Sequence, residues 1–171
     1  MNTMGTHEHK KNAPKSVTIA ILTVSTTRTL DIDESGQWIE NQALQAGHVL
    51  GCRELVSDDA DAITATVSNI VRDVRPQFLL ITGGTGMTAE DVTIESLRPM
   101  IQKELTAFGP LFAQLSYGEI GSAALLSRAM AGVVDNTVVF CLPGSLNACR
   151  LACNALIFPE FGHLAHHTQK R

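Results

Sequence analysis

The sequence has no excess of basic residues and no long apolar run. Thirteen lysines and arginines stand against seventeen aspartates and glutamates, which gives a net charge of −4. Nucleic-acid binding relies on basic side chains that neutralise phosphates, so this balance excludes a nucleic-acid partner from our expectations and favours a small molecule. A membrane-spanning helix needs about 20 consecutive apolar residues. No segment approaches that length, so we expect no membrane span.

The sequence also lacks a C-x-x-C pair and a signal peptide. Its four cysteines are at positions 52, 141, 149 and 153. Three of them fall in apolar strand or helix patterns, where a reduced, buried thiol is typical, so we expect a reducing, cytoplasmic setting. Residues 1–16 are polar and lack an apolar core, which predicts a disordered N-terminal arm.

Neither an internal repeat nor a linker divides the 171 residues, a length typical of one domain. Hydrophobic residues make up 44% and charged residues 18% of the chain. This composition is typical of a compact globular protein, and the low charge suggests surface buried between subunits. We expect one α/β domain over residues 17–160 and a C-terminal tail without clear pattern over residues 161–171.

Short apolar runs alternate with amphipathic helical patterns, which is typical of a parallel sheet covered on both faces. The predicted helices cover residues 34–46, 60–74, 94–105, 110–117 and 146–157. The predicted strands cover residues 17–24, 49–56 and 77–82, with two more in 133–140. The run 49–56 contains Gly51 and Arg53, so we place it near an edge. In 133–140 a tight polar turn at Asp135-Asn136 predicts one antiparallel pair in a mostly parallel sheet.

Polar loops follow three of the predicted strands. They are Ser25–Thr27, Thr82–Asp91 and Pro143–Ser145. In open α/β sheets, ligands bind outside the carboxyl ends of the strands, where the strand order reverses. We therefore expect these three loops to border one crevice.

The second loop begins Thr82-Gly83-Gly84-Thr85-Gly86. Its three glycines allow positive φ and let consecutive N–H groups turn toward an anion, and the two threonines add hydroxyl donors. The loop leads into a helix predicted to begin near Val92 or Thr93, whose N-terminus would favour a phosphate or carboxylate. The alternative is a tight strand-to-helix turn without a ligand.

Two familiar phosphate loops can be compared with this segment. A Walker A loop requires Gly-Lys-Ser/Thr, and no lysine lies between Arg75 and Lys103, so a P-loop NTPase is excluded. The stretch Gly84–Ala89 fits G-x-G-x-x-A, but a dinucleotide site needs an acidic residue at the end of the next strand, about 20 residues on. Residues 99–104 read as helix instead. A dinucleotide-dependent oxidoreductase is therefore the weaker alternative.

Two carboxylates are placed to meet this loop. Asp91 follows it by five residues, and Asp58 stands at the end of the second predicted strand. Either residue could instead cap the helix that follows it. A carboxylate pair facing a phosphate-binding loop suits magnesium-assisted phosphoryl or nucleotidyl transfer, because Mg²⁺ takes oxygen ligands and bridges phosphates.

These motifs resemble a known family. The glycine loop followed by Asp91-Val92-Thr93-x-Glu95 is similar to the TGGTG…DVTPE signature of the MoaB/MogA molybdopterin-binding proteins, which also includes domains of plant Cnx and gephyrin. The resemblance runs from about residue 17 to 157 and is closest to the MoaB group. Further matching segments are Ile21–Ser25, Ser35-Gly36, Phe108-Gly109, Leu115–Ser122, Leu126–Ala129, Leu142–Ser145 and Gly144–Arg150.

The resemblance implies a three-layer α/β/α sandwich with a doubly wound sheet, assembled as a homotrimer or homohexamer. It implies transfer of the adenylyl group of Mg-ATP to the terminal phosphate of molybdopterin, and contact with other molybdenum-cofactor enzymes. Asp58 and Asp91 would be the catalytic, magnesium-binding pair. The residues that would hold molybdopterin and its phosphate are Thr82, Gly83, Gly84, Thr85, Gly86 and Ser127. Those that would border the nucleotide are Ser25, Pro143, Gly144 and Ser145.

The sequence departs from the family pattern at two prolines. Leu146 replaces the last proline of the final loop, as in the MoaB group, and Ile94 replaces the proline of DVTPE. Some MoaB proteins lack the aspartate equivalent to Asp58 and are inactive. Because this chain keeps Asp58 and Asp91, we favour an active enzyme over a non-catalytic molybdopterin-binding protein of the same fold.

Some smaller candidates remain. His163, His166 and His167 lie together near one end of the chain, and His7 and His9 near the other. Both groups fall in polar terminal segments, so we expect solvated histidines in preference to metal ligands. Arg128 has two alternative partners of equal weight, a ligand phosphate or a neighbouring subunit.

Overall fold

The computed structural model describes residue 14 and residues 16–168. Most of the predicted arm, including His7 and His9, lies outside the described residues. The strands are β1 Thr18–Val24, β2 Val49–Val56, β3 Phe78–Thr82, β4 Lys103–Glu104, β5 Met130–Val134 and β6 Thr137–Leu142. The α-helices are α1 Glu34–Gln45, α2 Ala60–Asn69, α3 Thr93–Leu97, α4 Phe108–Ile120, α5 Leu146–Ala152 and α6 Phe161–Thr168. A wider π-type turn extends α2 through Ile70–Val74, and another extends α5 through Cys153–Ile157.

The strands form one sheet in the order β2-β1-β3-β6-β5-β4. The first four are parallel to one another, and β2 is at the edge, as predicted. Strands β5 and β6 form the predicted antiparallel hairpin, whose turn places Asp135 at a φ of 52°. Strand β4 pairs antiparallel with the free side of β5. The prediction of a mostly parallel, doubly wound sheet is confirmed.

Helices cover both faces of this sheet. Successive residues of a strand point to opposite faces, so Ile19 and Ile21 of β1 join one buried cluster while Ala20 and Leu22 join the other. The first cluster receives side chains from α1, α4, α5 and α6. The second receives them from α2 and α3. The molecule is therefore the expected three-layer α/β/α sandwich, with a core on each side of the sheet.

The helix predicted over residues 94–105 is confirmed only at its start and ends earlier than predicted. Helix α3 ends at Leu97, and a 3-10 turn over Arg98–Met100 contains Pro99, which has no N–H for a helical ladder. The chain then becomes extended because the edge of β5 offers backbone partners. The N–H groups of Gln102 and Leu105 donate to Val133 and Ala131 of that strand. Sheet pairing thus replaced the helix that the apolar spacing indicated.

The predicted tail begins with a packed helix. Within α6, Phe161 and Ala165 are fully buried against the sheet. Its three apolar residues, Phe161, Leu164 and Ala165, have helical spacing but cover little more than one turn, which is too short a pattern to predict this helix. The packed domain therefore continues past residue 160, through residue 168.

Two further observations concern the helix lengths and the cysteines. No helix between residues 16 and 168 is both long enough and apolar enough to cross a membrane. The four cysteines are free thiols, and Cys141, Cys149 and Cys153 are buried as predicted.

Candidate functional site

A crevice opens at the carboxyl ends of the parallel strands. The chain passes from β1 to β2 on one side and then crosses to β3 on the other, so the strand order reverses beside β1. The crevice has a volume of about 380 Å³. Its lining residues are Val24, Ser25, Thr27, Arg28, Asp58, Gly83, Gly84, Thr85, Gly86, Asp91, Leu126, Pro143 and Gly144. The structure therefore brings the three predicted loops together.

The glycine loop is fixed by close backbone contacts. Gly83 and Gly84 have φ angles of 95° and 60°, which favour glycine. A Cβ on Gly83 would stand 2.2 Å from the carbonyl oxygen of Val24, so the loop lies directly against the end of β1. Thr93 holds the other side, because its hydroxyl donates to the Gly83 carbonyl and its N–H to the Gly84 carbonyl, both at 2.9 Å.

Thr82 does not line the crevice, contrary to the prediction. It is fully buried beneath the loop, and its hydroxyl lies 3.4 Å from that of Thr23, which donates to Asp33. The position follows from strand alternation, since Thr82 is the last residue of β3 and points into the protein. Thr85 is also buried, but unlike Thr82 it is part of the crevice lining.

Asp58 is held by a threonine from the neighbouring strand end. Its Oδ2 accepts hydrogen bonds from the N–H of Thr26 at 2.7 Å and from the Thr26 hydroxyl at 2.8 Å. The helix-cap alternative for Asp58 is wrong, because Asp59 caps α2 by accepting from the Ala62 N–H. The other oxygen of Asp58 lies toward the glycine loop, where a Cβ on Gly84 would stand 3.3 Å from it.

Asp91 is held in the same way from within its own loop. Its Oδ2 accepts hydrogen bonds from the N–H of Thr88 at 2.9 Å and from the Thr88 hydroxyl at 2.7 Å. The hydrogen bonds from Thr88, assisted by Gly86 and by the charge of Arg128, hold the pKa of Asp91 below its ordinary value. Asp91 does not cap α3, whose first turn has no side-chain cap. It is therefore an ionised carboxylate on the crevice wall.

The third wall is the loop after β6. Its Gly144 carbonyl accepts hydrogen bonds from Arg28 Nη1 at 3.1 Å and from the Ser35 hydroxyl at 3.0 Å. The Cys149 thiol donates to the neighbouring Pro143 carbonyl. Ser145 is not part of the crevice lining, because its hydroxyl caps α5 by accepting from the backbone.

Sequence reasoning missed Thr26, Thr88 and Arg28. Thr26 and Thr88 position the two aspartates, and Arg28 is the one lining residue that carries a positive side chain. The signal for Arg28 was present, since it follows the Ser-Thr-Thr exit of β1. The threonines lie in two of the predicted loops, but the sequence did not indicate their aspartate partners, because these contacts depend on how the loops close.

Ser127 lies in a second, neighbouring pocket of about 330 Å³, away from the predicted crevice. That pocket also includes Glu95, Arg98 and Arg128, and Arg128 donates to the carboxylate of Glu95. Arg128 also lies 4.0 Å from the sulfur of Met87 in the glycine-loop segment. Leu126 lines the crevice and the next residue, Ser127, lines this pocket, so the two pockets are neighbours.

The dinucleotide-binding pattern is not met in the fold. Ala89 lies in a turn ahead of α3, whereas the pattern requires it within a helix. An acidic residue, Glu104, does close a strand, but that strand is β4 at the far edge of the sheet. Two strands separate β4 from β3, so Glu104 cannot face a ligand on the glycine loop.

Comparison with known proteins identifies a family and several relatives that match most of the chain. A family described as "Probable molybdopterin binding domain" matches residues 20–163. Molybdenum cofactor biosynthesis protein B of Bacillus subtilis is 44% identical over 168 residues, covering 98% of this chain and 99% of the relative. The corresponding protein of Bacillus anthracis is 46% identical over 162 residues, covering 94% and 96%.

Solved structures give the same relationship. A crystal structure of a molybdenum cofactor biosynthesis protein B has 43% identity and a TM-score of 0.89, covering 93% of this chain and 99% of the other. The tungsten cofactor synthesizing protein MoaB from Pyrococcus furiosus has 32% identity and a TM-score of 0.83, covering 92% and 100%. The chain therefore belongs to the molybdopterin-binding MoaB/MogA family of molybdenum cofactor biosynthesis proteins.

Proposed function

We propose that this protein transfers the adenylyl group of Mg-ATP to the terminal phosphate of molybdopterin. The observation that carries the proposal is the pair of carboxylates, Asp58 and Asp91, on a crevice that also includes the glycine loop. Each carboxylate has one oxygen fixed by a threonine N–H and hydroxyl. Fixed carboxylates beside a phosphate-binding loop suit nucleotidyl transfer, where positioning and electrostatics supply most of the catalysis.

The proposed reaction forms one bond and breaks one. An oxygen of the terminal phosphate of molybdopterin bonds to the α-phosphorus of ATP. The bond from that phosphorus to the bridging oxygen breaks, and pyrophosphate leaves with the electron pair. The products are adenylylated molybdopterin and pyrophosphate, with no change of oxidation state.

Asp58 and Asp91 would hold the magnesium ion. Among the residues that the structure describes, no group of three or more His, Cys, Asp or Glu side chains is placed to hold a metal by itself. Magnesium in nucleotide sites commonly uses one or two carboxylates together with substrate phosphates and water, so a pair of aspartates suffices. When bound, Mg²⁺ would neutralise charge on the phosphates, which fits a crevice whose one basic side chain is Arg28.

The crevice can be divided between the two substrates. Ser25, Arg28 and the Pro143-Gly144 loop form one side, which we assign to the nucleotide. The glycine loop forms the other side and continues toward the pocket that holds Ser127 and Arg128. We assign molybdopterin and its phosphate to that side, since it offers backbone N–H groups and a nearby guanidinium.

Pyrophosphate release from molybdopterin and Mg-ATP tests the reaction. We expect D58N and D91N each to lower kcat by about 100-fold or more, the scale on which a catalytic electrostatic group acts. The matched control is D61N, because Asp61 is an exposed aspartate in the first turn of α2, outside the crevice. Activity unchanged in both crevice variants would remove the carboxylate pair from the mechanism.

The same samples separate catalysis from binding. Release no faster than background, with tight molybdopterin binding retained, would overturn the transferase and leave a non-catalytic molybdopterin-binding protein. A dinucleotide-dependent oxidoreductase would instead show NAD(P)-dependent quenching of Trp38 fluorescence or a shift of Tm with the cofactor. We expect neither.

We also propose that the chain assembles with copies of itself, as a trimer or hexamer. An apolar surface runs along α4 and the 3-10 turn Gly121–Leu126, where Tyr117, Leu125 and Leu126 are 65%, 87% and 65% exposed. Several exposed apolar side chains within one short segment suit a protein–protein contact. We expect L125E to shift the mass measured by light scattering toward the monomer. A monomeric wild-type protein would contradict the assignment.

A further inference from the structure

Three polar side chains meet on the outer face of the last helix. Glu160 ends the turn that leads into α6, and His163 and His167 follow at spacings of three and four residues, which places all three on one helix face. The opposite face carries Phe161 and Ala165, which are fully buried. The helix is therefore anchored, and the histidines stand on a fixed support.

The Nε2 atoms of the two imidazoles are separated by a distance suited to two ligands of one metal ion. Nε2 of His163 lies 3.1 Å from Nε2 of His167, and the ring centroids are 4.8 Å apart. Imidazole nitrogens bind Zn²⁺ at about 2.0–2.1 Å, so two of them on one ion lie roughly 3.0–3.4 Å apart. The observed separation matches that of two ligands of one ion, which would lie beside the line joining the two nitrogens and would displace the proton that they share.

Glu160 sets the tautomer that such a site requires. Its Oε2 lies 3.0 Å from Nδ1 of His163. A carboxylate oxygen accepts, so Nδ1 carries the proton and Nε2 presents its lone pair toward His167. A carboxylate on the far nitrogen of a histidine is the usual outer partner of a metal-binding imidazole, because it fixes the ring and raises its basicity.

We propose that His163 and His167 bind a divalent transition metal ion through their Nε2 atoms, with Glu160 as the outer carboxylate. Imidazole favours Zn²⁺, Ni²⁺ and Cu²⁺ over Mg²⁺, and two histidines four apart on a helix are a known zinc-binding arrangement. In the part of the chain that the structure describes, no third side chain completes the set. The remaining positions would go to water or an added ligand.

The site is separate from the crevice that we assign to molybdopterin. Phe161 of α6 packs on Phe78 and against His48, which stand at the amino ends of β3 and β2. His167 borders a pocket that includes Asn136 in the hairpin turn at the same end of the sheet. The crevice opens at the carboxyl ends, so loss of adenylyl transfer would not affect this proposal.

Calorimetric titration of the metal-free full-length protein with Zn²⁺ tests the site. Because His7 and His9 offer a second source of imidazole, the titrations use an H7Q/H9Q background. We expect one ion per chain in that background, loss of this binding in H163Q and H167Q, and retention in H166Q. E160Q should weaken binding by about 10–100-fold, as removal of an outer-shell partner does.

Cu²⁺ provides a second readout that folding alone does not affect. Nitrogen hyperfine structure in the electron paramagnetic resonance spectrum should indicate two imidazoles in the background protein and fewer in H163Q and H167Q. Circular dichroism checks that each variant is folded. No Zn²⁺ binding up to millimolar concentration, or binding unchanged in H163Q and H167Q, would leave a simple histidine–histidine hydrogen bond and overturn the proposal.

Discussion

Thr26 connects the ends of two neighbouring strands by donating both its N–H and its hydroxyl to one oxygen of Asp58, at 2.7 and 2.8 Å. Thr88 repeats this arrangement with Asp91 at 2.9 and 2.7 Å. In both cases a backbone donor fixes the carboxylate, so its direction depends on the loop and not on side-chain rotamers alone. The two acidic groups of the crevice are therefore oriented before any ligand arrives.

The contact between Thr26 and Asp58 should be measurable in turnover. T26V removes the hydroxyl donor but keeps the N–H, and a hydrogen bond to a charged group is worth about 1.5–3 kcal/mol. We expect kcat for pyrophosphate release to fall by about 10-fold or more, on the same scale, with a smaller change in KM for molybdopterin. T26S, which keeps the hydroxyl, should restore most of the rate.

T64V serves as the control, because Thr64 is a threonine of α2 whose hydroxyl donates only to backbone carbonyls of its own helix. In a D58N background, T26V should add little further loss. If T26V slowed the D58N protein as much as it slows the wild type, Thr26 would be acting independently of Asp58.

The contact between Thr88 and Asp91 should be visible in a titration. Hydrogen bonds from Thr88 are the largest cause of the lowered pKa of Asp91. T88V should therefore raise that pKa toward its ordinary value, which carboxyl carbon NMR measures directly. Because the folded-state pKa is depressed, the stabilising contribution of Asp91 is present above the unfolded value of 3.8 and is lost as the pH falls through the folded one.

In T88V the pH dependence of unfolding attributable to Asp91 should shrink in this acid range and remain unchanged near neutral pH. T64V provides the comparison, because the Thr64 hydroxyl donates only to carbonyls of its own helix. An Asp91 pKa equal in wild type and T88V would show that Thr88 does not set the charge state of this carboxylate.

Much of the fold was predictable because its signals are local. The apolar strands β1 and β3, the glycine loop and the Asp135-Asn136 turn each depend on a few consecutive residues. The segment 94–105 was not predictable in this way. The helix in this segment ends early because the chain pairs with the open side of β5, which lies about thirty residues later in the sequence.

The candidate site was also predictable only where its signals are local. Strand ends predicted that Asp58, Asp91 and the glycine loop would meet, and the structure brings them together. Which way each side chain points was beyond the pattern. Thr82 turns inward, and Ser127 enters a neighbouring pocket, because those directions follow from strand pleat and turn geometry.

Arg28 should contribute chiefly to nucleotide binding. It is the one basic side chain of the crevice lining, and it donates to the Gly144 carbonyl on the side assigned to ATP. R28Q should raise KM for ATP by about 10-fold, the loss expected for one charge-assisted contact, with less effect on KM for molybdopterin. The control is R72Q, since Arg72 is an exposed arginine paired with Asp73. Equal effects on both substrates would contradict the assignment.

The thiols should be almost unreactive in the folded protein, although none is in a disulfide. Burial raises the pKa of Cys141 and of Cys149 to about 12, and burial beside Glu54 raises that of Cys52 to about 11. The thiolate is the reactive form, so at pH 8 only about one thiol in a thousand or fewer would be reactive.

We expect slow labelling of native protein by a thiol reagent, beginning at Cys52, and four labels per chain after unfolding in guanidinium. C52S should remove the first phase alone. Rapid native labelling of Cys141 would instead require strand β6 to separate from β3, so the labelling rate also measures how firmly the crevice-bearing sheet is held.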